Sequence, residues 1–539
     1  LGEREPGRTL SGGTSYVLRG GVATMAPATQ LGVKWAERRG DTGGAAIASL
    51  PTPPPAQPAR YALQPNLSVV ADERGGLLLC LRPLLALRLN RQATTLLGAL
   101  RQPRSVAELA ASVPGMTPAA ITAFLDRLLR RRLLIRHPAE VAVWPAVSIV
   151  VPAHGRAEAT RRCVQSLLAL DYPTDRREII VVDDASTPPL AEALHDLPIR
   201  LLRQERNIGQ SAARNLAATM ASGTVLALID NDCVAEPDWL RGLLPYLDDP
   251  SVAMIGGRVV APPARGAVAA FEAVRSPLDM GATETEVTPN AAVSYLPTCN
   301  LLVRRDVLLA HGGFDAALRV GEDVDFIWRT LRNGHRAWYV PAGRVVHDHR
   351  VRWGDWLRRR ADYGSSEADL QQRYPEGRRV MHLPRASLLL LLSVMLTPWF
   401  GFWGLGPAAV ALSLFSAELT KKQRELRRVG VTLSIGRVAV ALGREHAAAL
   451  YHLSANAVRY YSLPLLVIGG IQPSGLLAIL LLLIVAPLAD HRRLRPQLSL
   501  SVFIGLYGLE LAAYQVGLWR GCRQRRTLRP LLPRLIWRR

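Results

Sequence analysis

The sequence predicts an α/β protein built on a doubly wound sheet, and three observations carry that prediction. From Val147 onward, short apolar runs rich in β-branched residues alternate with amphipathic stretches: VSIVVPAH, TRRCVQSLLAL, EIIVVDDAS, IRLLRQ and VLALIDND. Such alternation implies parallel strands joined by right-handed crossovers. The runs stop on polar residues, which places those residues at strand C-terminal ends, where open α/β sheets bind ligands. The run Val225 to Cys233 stops on Asp230-Asn231-Asp232, two carboxylates at one such end.

A chain of 539 residues holds two or more domains. A hydrophobic content of 49% and a mean hydropathy of +0.11 are high for a wholly soluble protein. The net charge of +22 points to nucleic acid, anionic lipid or a phosphorylated substrate. The basic residues flank apolar runs in the C-terminal third and form no continuous stripe, which favours anionic membrane lipids as partners and excludes nucleic acid. The cysteines Cys80, Cys163, Cys233, Cys299 and Cys522 show no metal-ligand spacing and read as reduced thiols.

Residues 1–58, rich in Gly and Pro, are expected to form a disordered tail and linker ending in the stiff PTPPPAQP. They lack a signal-peptide core; Leu1 opens the chain and Met25 follows downstream, so part of the tail is open to start-site assignment. Residues 59–142 read as a small unit. LSVV and GGLLLCL flank the turn Asp72 to Gly76 as a hairpin, Asn90 caps a helix to Leu100, and Ser105 with Glu108 forms a capping box. Thr117 and Pro118 open a third helix with an apolar stripe of Ile121, Phe124, Leu125, Leu128 and Leu129. This unit resembles a winged helix and, more closely, the PqqD-like fold, which implies recognition of a precursor peptide along a strand edge. The alternative is a docking unit that only packs on its neighbour.

The strand ends carry the chemistry. Pro152 and Ala153 offer a backbone floor. Asp183 and Asp184 offer carboxylates for a uracil imide or a ribose hydroxyl. Asn207 and Gly209 form a turn that leads to Arg214, placed to neutralise a diphosphate or to clamp Asp183. Asp230 and Asp232 are hard oxygen ligands suited to Mg²⁺ or Mn²⁺ bridging a diphosphate. Neither G-x-G-x-x-G after the first strand nor G-x-x-x-x-G-K-[ST] occurs, which argues against dinucleotide and P-loop sites.

SIVVPAH, VVDDAS, NIGQSAARN and LIDND, in that order, resemble an inverting family 2 glycosyltransferase of GT-A fold, with Ala185 where Gly is common. The likeness runs from about Val147 to about Arg360, inside a GT-A domain set at 143–380. It implies that SYLPTCNLLVRRDVL closes over the acceptor, with Thr298 and Asn300 as acceptor residues beside Cys299 and Arg304, and Trp328 as a third. It also implies that Asp323, the second acid of Gly321-Glu322-Asp323, is the general base and that Glu322 positions the acceptor or Asp323. The chemistry agrees independently: an acceptor hydroxyl must lose its proton as it attacks the anomeric carbon, and a carboxylate is the simplest base. The competing reading of the pair is acidic capping of a helix N-terminus. His347, preferred to His349, would complete the metal shell; a structural histidine is the alternative.

Residues 381–539 read as a membrane-associated helical region. Trp356 to Ser366 reads as a basic-aromatic helix at a membrane surface. Ala386 to Leu419 and Ser462 to Ala489 are long apolar stretches broken at Pro398/Gly401 and at Gln472-Pro473, and Leu498 to Trp519 is a third candidate span holding Glu510. Between the first two, Val431 to Tyr461 is amphipathic and fit to lie in the membrane interface. Each broken stretch is either one kinked span with an overhang or a short helical hairpin, and the preference of all the basic runs for the cytoplasm is met most simply if the two are re-entrant or hairpins, which leaves the span count open. The expected location is the inner membrane, with the catalytic domain facing the cytoplasm.

This architecture resembles the mycofactocin-system glycosyltransferases. The resemblance implies UDP-glucose as donor, a peptide-derived redox cofactor as acceptor, and extension with β-1,4-linked glucose. No residue named above separates glucose from galactose or N-acetylglucosamine. The alternatives are a membrane-associated family 2 enzyme of lipid-linked or cell-wall glycan synthesis and, in another class, a non-catalytic peptide-recruiting scaffold. Intact Asp230, Asp232 and Asp323 argue against the scaffold.

Overall fold

The computed structural model describes residues 58–538 apart from 74, 82, 83, 142 and 472. The expected tail, up to residue 57, lies outside the described residues, as do Arg74 of the hairpin turn and Gln472 of the second break.

The main sheet has eight strands. From one edge they run Arg200–Gln204, Arg177–Asp184, Val147–Ala153, Val225–Leu228, Leu301–Arg304, Val252–Gly256, Arg336–Tyr339 and Thr285–Glu286. The first four are parallel, in the spatial order third, second, first, fourth, as the alternating pattern predicts. The sheet as a whole is mixed: Leu301–Arg304 runs antiparallel between its two neighbours, and Thr285–Glu286 is antiparallel at the edge. The parallel expectation covers the first four strands only, and they are parallel. A four-residue apolar run carries too little pattern to show its direction. The sheet is thus a parallel half extended by a mixed half.

Helices cover both faces, so the central strands are apolar on both sides. Ile149, Val151, Ile179 and Val181 enter one core, and Val150, Ile180, Val182 and Leu226 enter the other, following the two-residue period of a strand. Every residue of Val147–Ala153 is buried. A small second sheet sets Cys233–Ala235 antiparallel to Val345–His347, with Val259–Val260 on its far side.

The N-terminal unit forms as its caps indicate. Asn90 accepts from Ala93 N at 2.8 Å, and Ser105 and Glu108 close a full capping box. Leu67–Asp72, Gly75–Leu81 and Leu84–Leu89 make an antiparallel sheet. Arg136 donates to Asp248 at 2.5 Å and Arg132 to Thr285 at 3.1 Å, tying the unit to the catalytic domain. Leu77 and Leu84 also share an apolar cluster with Leu426, Val438 and Leu442 of the C-terminal helices.

Both broken apolar stretches are helical hairpins. Arg385–Phe400 folds back through a 3-10 turn onto Gly406–Arg428, and Ile435–Ile471 folds back onto Pro473–Leu494. Ile435–Ile471 is one continuous helix containing Pro464, not an amphipathic segment followed by a separate apolar one. Gly401–Arg428 and Leu500–Gln524 are long and apolar enough to cross a membrane.

The Trp353–Arg373 helix departs from expectation. It packs along Leu500–Gln524 and buries Trp356 and Arg360, so its aromatic-basic face turns into the protein. Small residues allow the close approach: a Cβ at Gly364 would lie 2.1 Å from Tyr514 O, and one at Gly517 would lie 1.8 Å from Ala361 O.

Candidate active site

The strand ends open onto a cleft of about 1130 Å³. Pro152, Ala153, Asp184, Asn207, Gly209, Asp230 and Asp232 line one side, and Glu322, Asp323, Thr298 and Trp328 line the adjoining wall. His347 and His349 also reach it.

Asp183 and Asp184 divide because successive side chains on a strand face opposite ways. Asp184 faces the cleft, and its carboxylate accepts from Ile208 N at 2.7 Å and Gly209 N at 2.9 Å, shaping the loop ahead of the Gln210–Met220 helix. Gly209, at φ +85°, makes the sharp entry to that helix. Asp183 does not line the cleft. It is fully buried and accepts from Ser186 N (2.9 Å), Leu190 N (3.1 Å) and Arg203 Nη1 (2.5 Å). Burial pushes its pKa up, but these hydrogen bonds hold it below the ordinary value. Its expected role as a nucleotide contact is corrected to a structural one.

Arg214 is also corrected. It lies beneath the cleft, 1% exposed, and bonds to other acids than Asp183. Its Nη2 donates to Asp230 Oδ1 at 2.6 Å and its Nη1 to Glu322 Oε1 at 3.3 Å. One buried guanidinium thus fixes an acid from a strand end and an acid from a helix start. Removing such a partner strands a buried charge, at a cost of about 3–5 kcal/mol.

Asn300 is the third correction. It is fully buried, accepts from Trp239 Nε1 at 2.8 Å, and donates to Arg258 O and Gly343 O at 3.0 Å each. With all of these bonds directed into the protein, it has no place on the acceptor wall. Arg304 likewise caps Val252 O and Leu247 O. Thr298 and Trp328 do reach the cleft, and Trp328 Nε1 donates to Ser294 O at 2.6 Å.

Glu322 and Asp323 open the Glu322–Arg332 helix after Gly321, at φ +86°. Glu322 is buried and accepts from Gln210 Nε2 at 2.5 Å as well as from Arg214. Asp323 is half-buried on the cleft wall and accepts from Val324 N at 2.8 Å. Burial, then the neighbouring Glu322 charge, push its pKa up to about 7 against the pull of Val324 N–H, Arg214 and Arg359. A carboxylate so placed is a base near neutral pH.

The pairing of Cys233 with His347 brings the imidazole beside the acids: His347 Nε2 lies 3.6 Å from Asp232 Oδ1. The ligand atoms of Asp232, Cys233 and His347 all fall within 4.8 Å of one another. His349 sits behind, with its Nδ1 3.1 Å from that of His347 and its Nε2 without a hydrogen-bond partner among the described residues. Arg156 Nη1 donates to Asp232 Oδ2 at 2.7 Å, so each strand-end acid is held by an arginine. Two carboxylates and an imidazole converging on one cleft fit a hard divalent cation.

A further stretch of the lining was not foreseen. Glu272, Arg275, Arg359 and Tyr363 line it, with Arg459 and Tyr514 from the C-terminal helices. The available signal was Trp356, Arg360 and Tyr363, spaced four and three apart and so on one helical face.

Residues 148–311 match the family described as Glycosyl transferase family 2. The chain is 31% identical over 404 residues to the Pre-mycofactocin glycosyltransferase of Mycobacterium tuberculosis, covering 72% of this chain and 82% of that one. It is 27% identical over 296 residues to Glycosyltransferase AglE of Haloferax volcanii, covering 54% and 88%. Among solved structures, the mannosyltransferase PcManGT of Pyrobaculum calidifontis, in complex with GDP-Man and Mn²⁺, aligns at 20% identity over 65% of this chain and 87% of that one, with a TM-score of 0.34, too loose to carry an argument.

Proposed function

The chain belongs to glycosyl transferase family 2, and on that premise we propose that it transfers glucose from UDP-glucose, with inversion, to a peptide-derived redox cofactor of the mycofactocin kind and extends a β-1,4-glucan on it. One observation carries the reading: the strand-end acids Asp230 and Asp232 and the candidate base Asp323 face the same cleft, with Arg214 bonded to both Asp230 and Glu322. The name of the 31%-identical relative supports the acceptor class.

In this reading Pro152, Ala153, Asp184, Asn207 and Gly209 cradle the nucleotide. Asp230, Asp232 and His347 would hold Mg²⁺ or Mn²⁺, and the bound ion offsets charge on the leaving diphosphate. Asp323 takes the proton from the acceptor hydroxyl as that oxygen attacks the anomeric carbon. Glu322, fixed by Gln210 and Arg214, keeps Asp323 in place and raises its basicity. Thr298 and Trp328 shape the acceptor wall. A single displacement of this kind converts an α-linked donor to a β-linked product.

We further propose domain roles on the expected boundaries. Residues 59–142 recruit a precursor peptide along the Leu67–Asp72 edge, where Val70 is exposed, and residues 381–539 hold the enzyme at the inner membrane with its cleft toward the cytoplasm. A second reading, transfer to a lipid-linked or cell-wall glycan, is favoured by the helix Leu500–Gln524, which is apolar enough to cross a membrane and contributes Tyr514 to the cleft.

The test is UDP release from a panel of UDP-sugars with Mn²⁺, with and without each acceptor class, in wild type and Asp323→Asn. Release from UDP-glucose that requires the cofactor precursor and disappears in the variant supports the proposal. Release only with lipid or glycan acceptors favours the second reading, and no release at all leaves the scaffold.

A further inference from the structure

The helix Leu500–Gln524 is long and apolar enough to cross a membrane, yet its neighbours hold it against the catalytic domain along its whole length. Near its start Phe503 packs on Phe271, with ring centroids 5.4 Å apart. At its middle Glu510 lies 3.0 Å from Arg360 and 3.4 Å from Arg275. Just past its end Arg525 lies 3.0 Å from Asp369. From Phe503 to Arg525 is about 33 Å of helix, as much as a hydrocarbon core is thick. To cross a bilayer, this helix would have to draw the Ala267–Arg275 and Trp353–Arg373 helices, with their ion pairs, into the hydrocarbon, where charged side chains are costly.

The face turned away from these contacts is bare. Val502, Leu509 and Val516, each two helical turns from the next and so on one line, are 42%, 46% and 56% exposed. The line runs on into exposed Arg520 and Arg523, and exposed Arg492, Arg493 and Arg495 precede the helix. Both ends are therefore basic, and a crossing would force one of them to the side that basic residues avoid. An apolar stripe between two basic ends complements acyl chains bordered by anionic headgroups. A second copy of this chain on the same stripe would set arginines against arginines, and like charges repel. The hairpin turn at Phe402 and Trp403, also exposed, adds a further apolar surface to the same C-terminal part.

We propose that Leu500–Gln524 does not cross a membrane but lies in the plane of an anionic bilayer, with its outer stripe sunk at the boundary between headgroups and acyl chains. The inference rests on the membrane role proposed for residues 381–539. Glu510, Leu511 and Tyr514 line the cleft from the inner side of the same helix, so one helix diameter, about 10 Å, separates the cleft from lipid.

The experiment attaches a bimane fluorophore to Val502→Cys, Leu509→Cys and Val516→Cys in turn. The full chain is reconstituted into vesicles of phosphatidylglycerol and phosphatidylcholine, with lipids that carry a nitroxide either near the headgroup or deep in the acyl chain. The native cysteines are buried, and wild type treated alike gives the background. A helix in the plane puts all three labels at one depth, each losing at least about twofold more fluorescence to the shallow nitroxide than to the deep one. Stronger quenching by the deep nitroxide at any of the three, as at Leu509 in a crossing helix, overturns the inference. Vesicle-bound protein with no label quenched also overturns it, because protein or water then covers the face. A chain that does not recover with the vesicles at all sinks the membrane role of residues 381–539, and the inference with it.

Discussion

On the proposed donor side of the cleft, the lining residues lie at or just beyond the ends of strands that are neighbours in one sheet, with Asp184 and Asp230 directly after apolar runs and Asn207 in the loop after Arg200–Gln204. On the far side, partners are distant in sequence: Glu272 and Arg360 are 88 residues apart, Arg275 and Asp490 are 215 apart, and Arg275 and Glu510 are 235 apart. The donor side is thus set by local pattern on a rigid sheet, the far side by buried ion pairs between helices. Changes to the catalytic acids should therefore cost chemistry and spare the fold. Changes to the ion pairs should cost assembly first.

The sharpest contrast comes from two carboxylates. Asp323→Asn removes the candidate base without emptying a core, so kcat should fall about 10²- to 10⁴-fold with thermal stability and UDP binding unchanged. Glu510→Gln takes one of two carboxylates from Arg360, 3.0 Å away, where Glu272 remains, and one of two from Arg275, 3.4 Å away, where Asp490 remains. A buried charge left with no partner costs about 3–5 kcal/mol; with Glu272 and Asp490 in place the loss is smaller, but the melting temperature should still drop, with activity following it. Unchanged stability in Glu510→Gln would break the comparison, because the C-terminal helices would then be a separable anchor and not a wall of the site. A smaller effect is expected from His347→Ala, which should weaken Mn²⁺ about 10- to 100-fold in a titration, while His349→Ala, one step behind, should weaken it less. The reverse order would exchange the two histidines.

The same contrast explains what the sequence could tell. The four parallel strands, the caps at Asn90, Ser105 and Thr117, and the hairpin breaks were legible because each is written within a few residues. Asp183, Arg214 and Asn300 were located on the right elements but assigned to the wrong side of the protein surface. Pattern shows that a strand ends at Asp183-Asp184, whereas the pleat decides which carboxylate reaches the cleft. Arg214 is used up by Asp230, 16 residues away, and Glu322, 108 away, and Asn300 by Trp239, 61 away, and by backbone carbonyls 42 and 43 away. The basic-aromatic helix misled for a related reason. Trp356 and Arg360 are amphipathic in the way an interfacial helix is, and only the carboxylates of Glu272 and Glu510, contributed from afar, turn that face inward.

The finest division lies between the two acids that open one helix. Asp323 is raised to about 7 by burial first and by Glu322 second. A base works only when deprotonated, so kcat/KM should decline as pH falls through that value and level off above it. Glu322→Gln removes the second cause and keeps the first, since the neutral amide has nearly the same shape. The acid limb should then move to lower pH without reaching the range of an exposed carboxylate, because burial remains. Gln210 and Arg214 lose their anionic partner in this variant, but Asp230 still holds Arg214 at 2.6 Å, so the floor of the cleft should stay intact. A pH–rate profile of the variant beside wild type checks this. A limb that does not move would mean that Glu322 acts on the acceptor and not on the base, and the positioning role given to it would pass from Asp323 to the substrate.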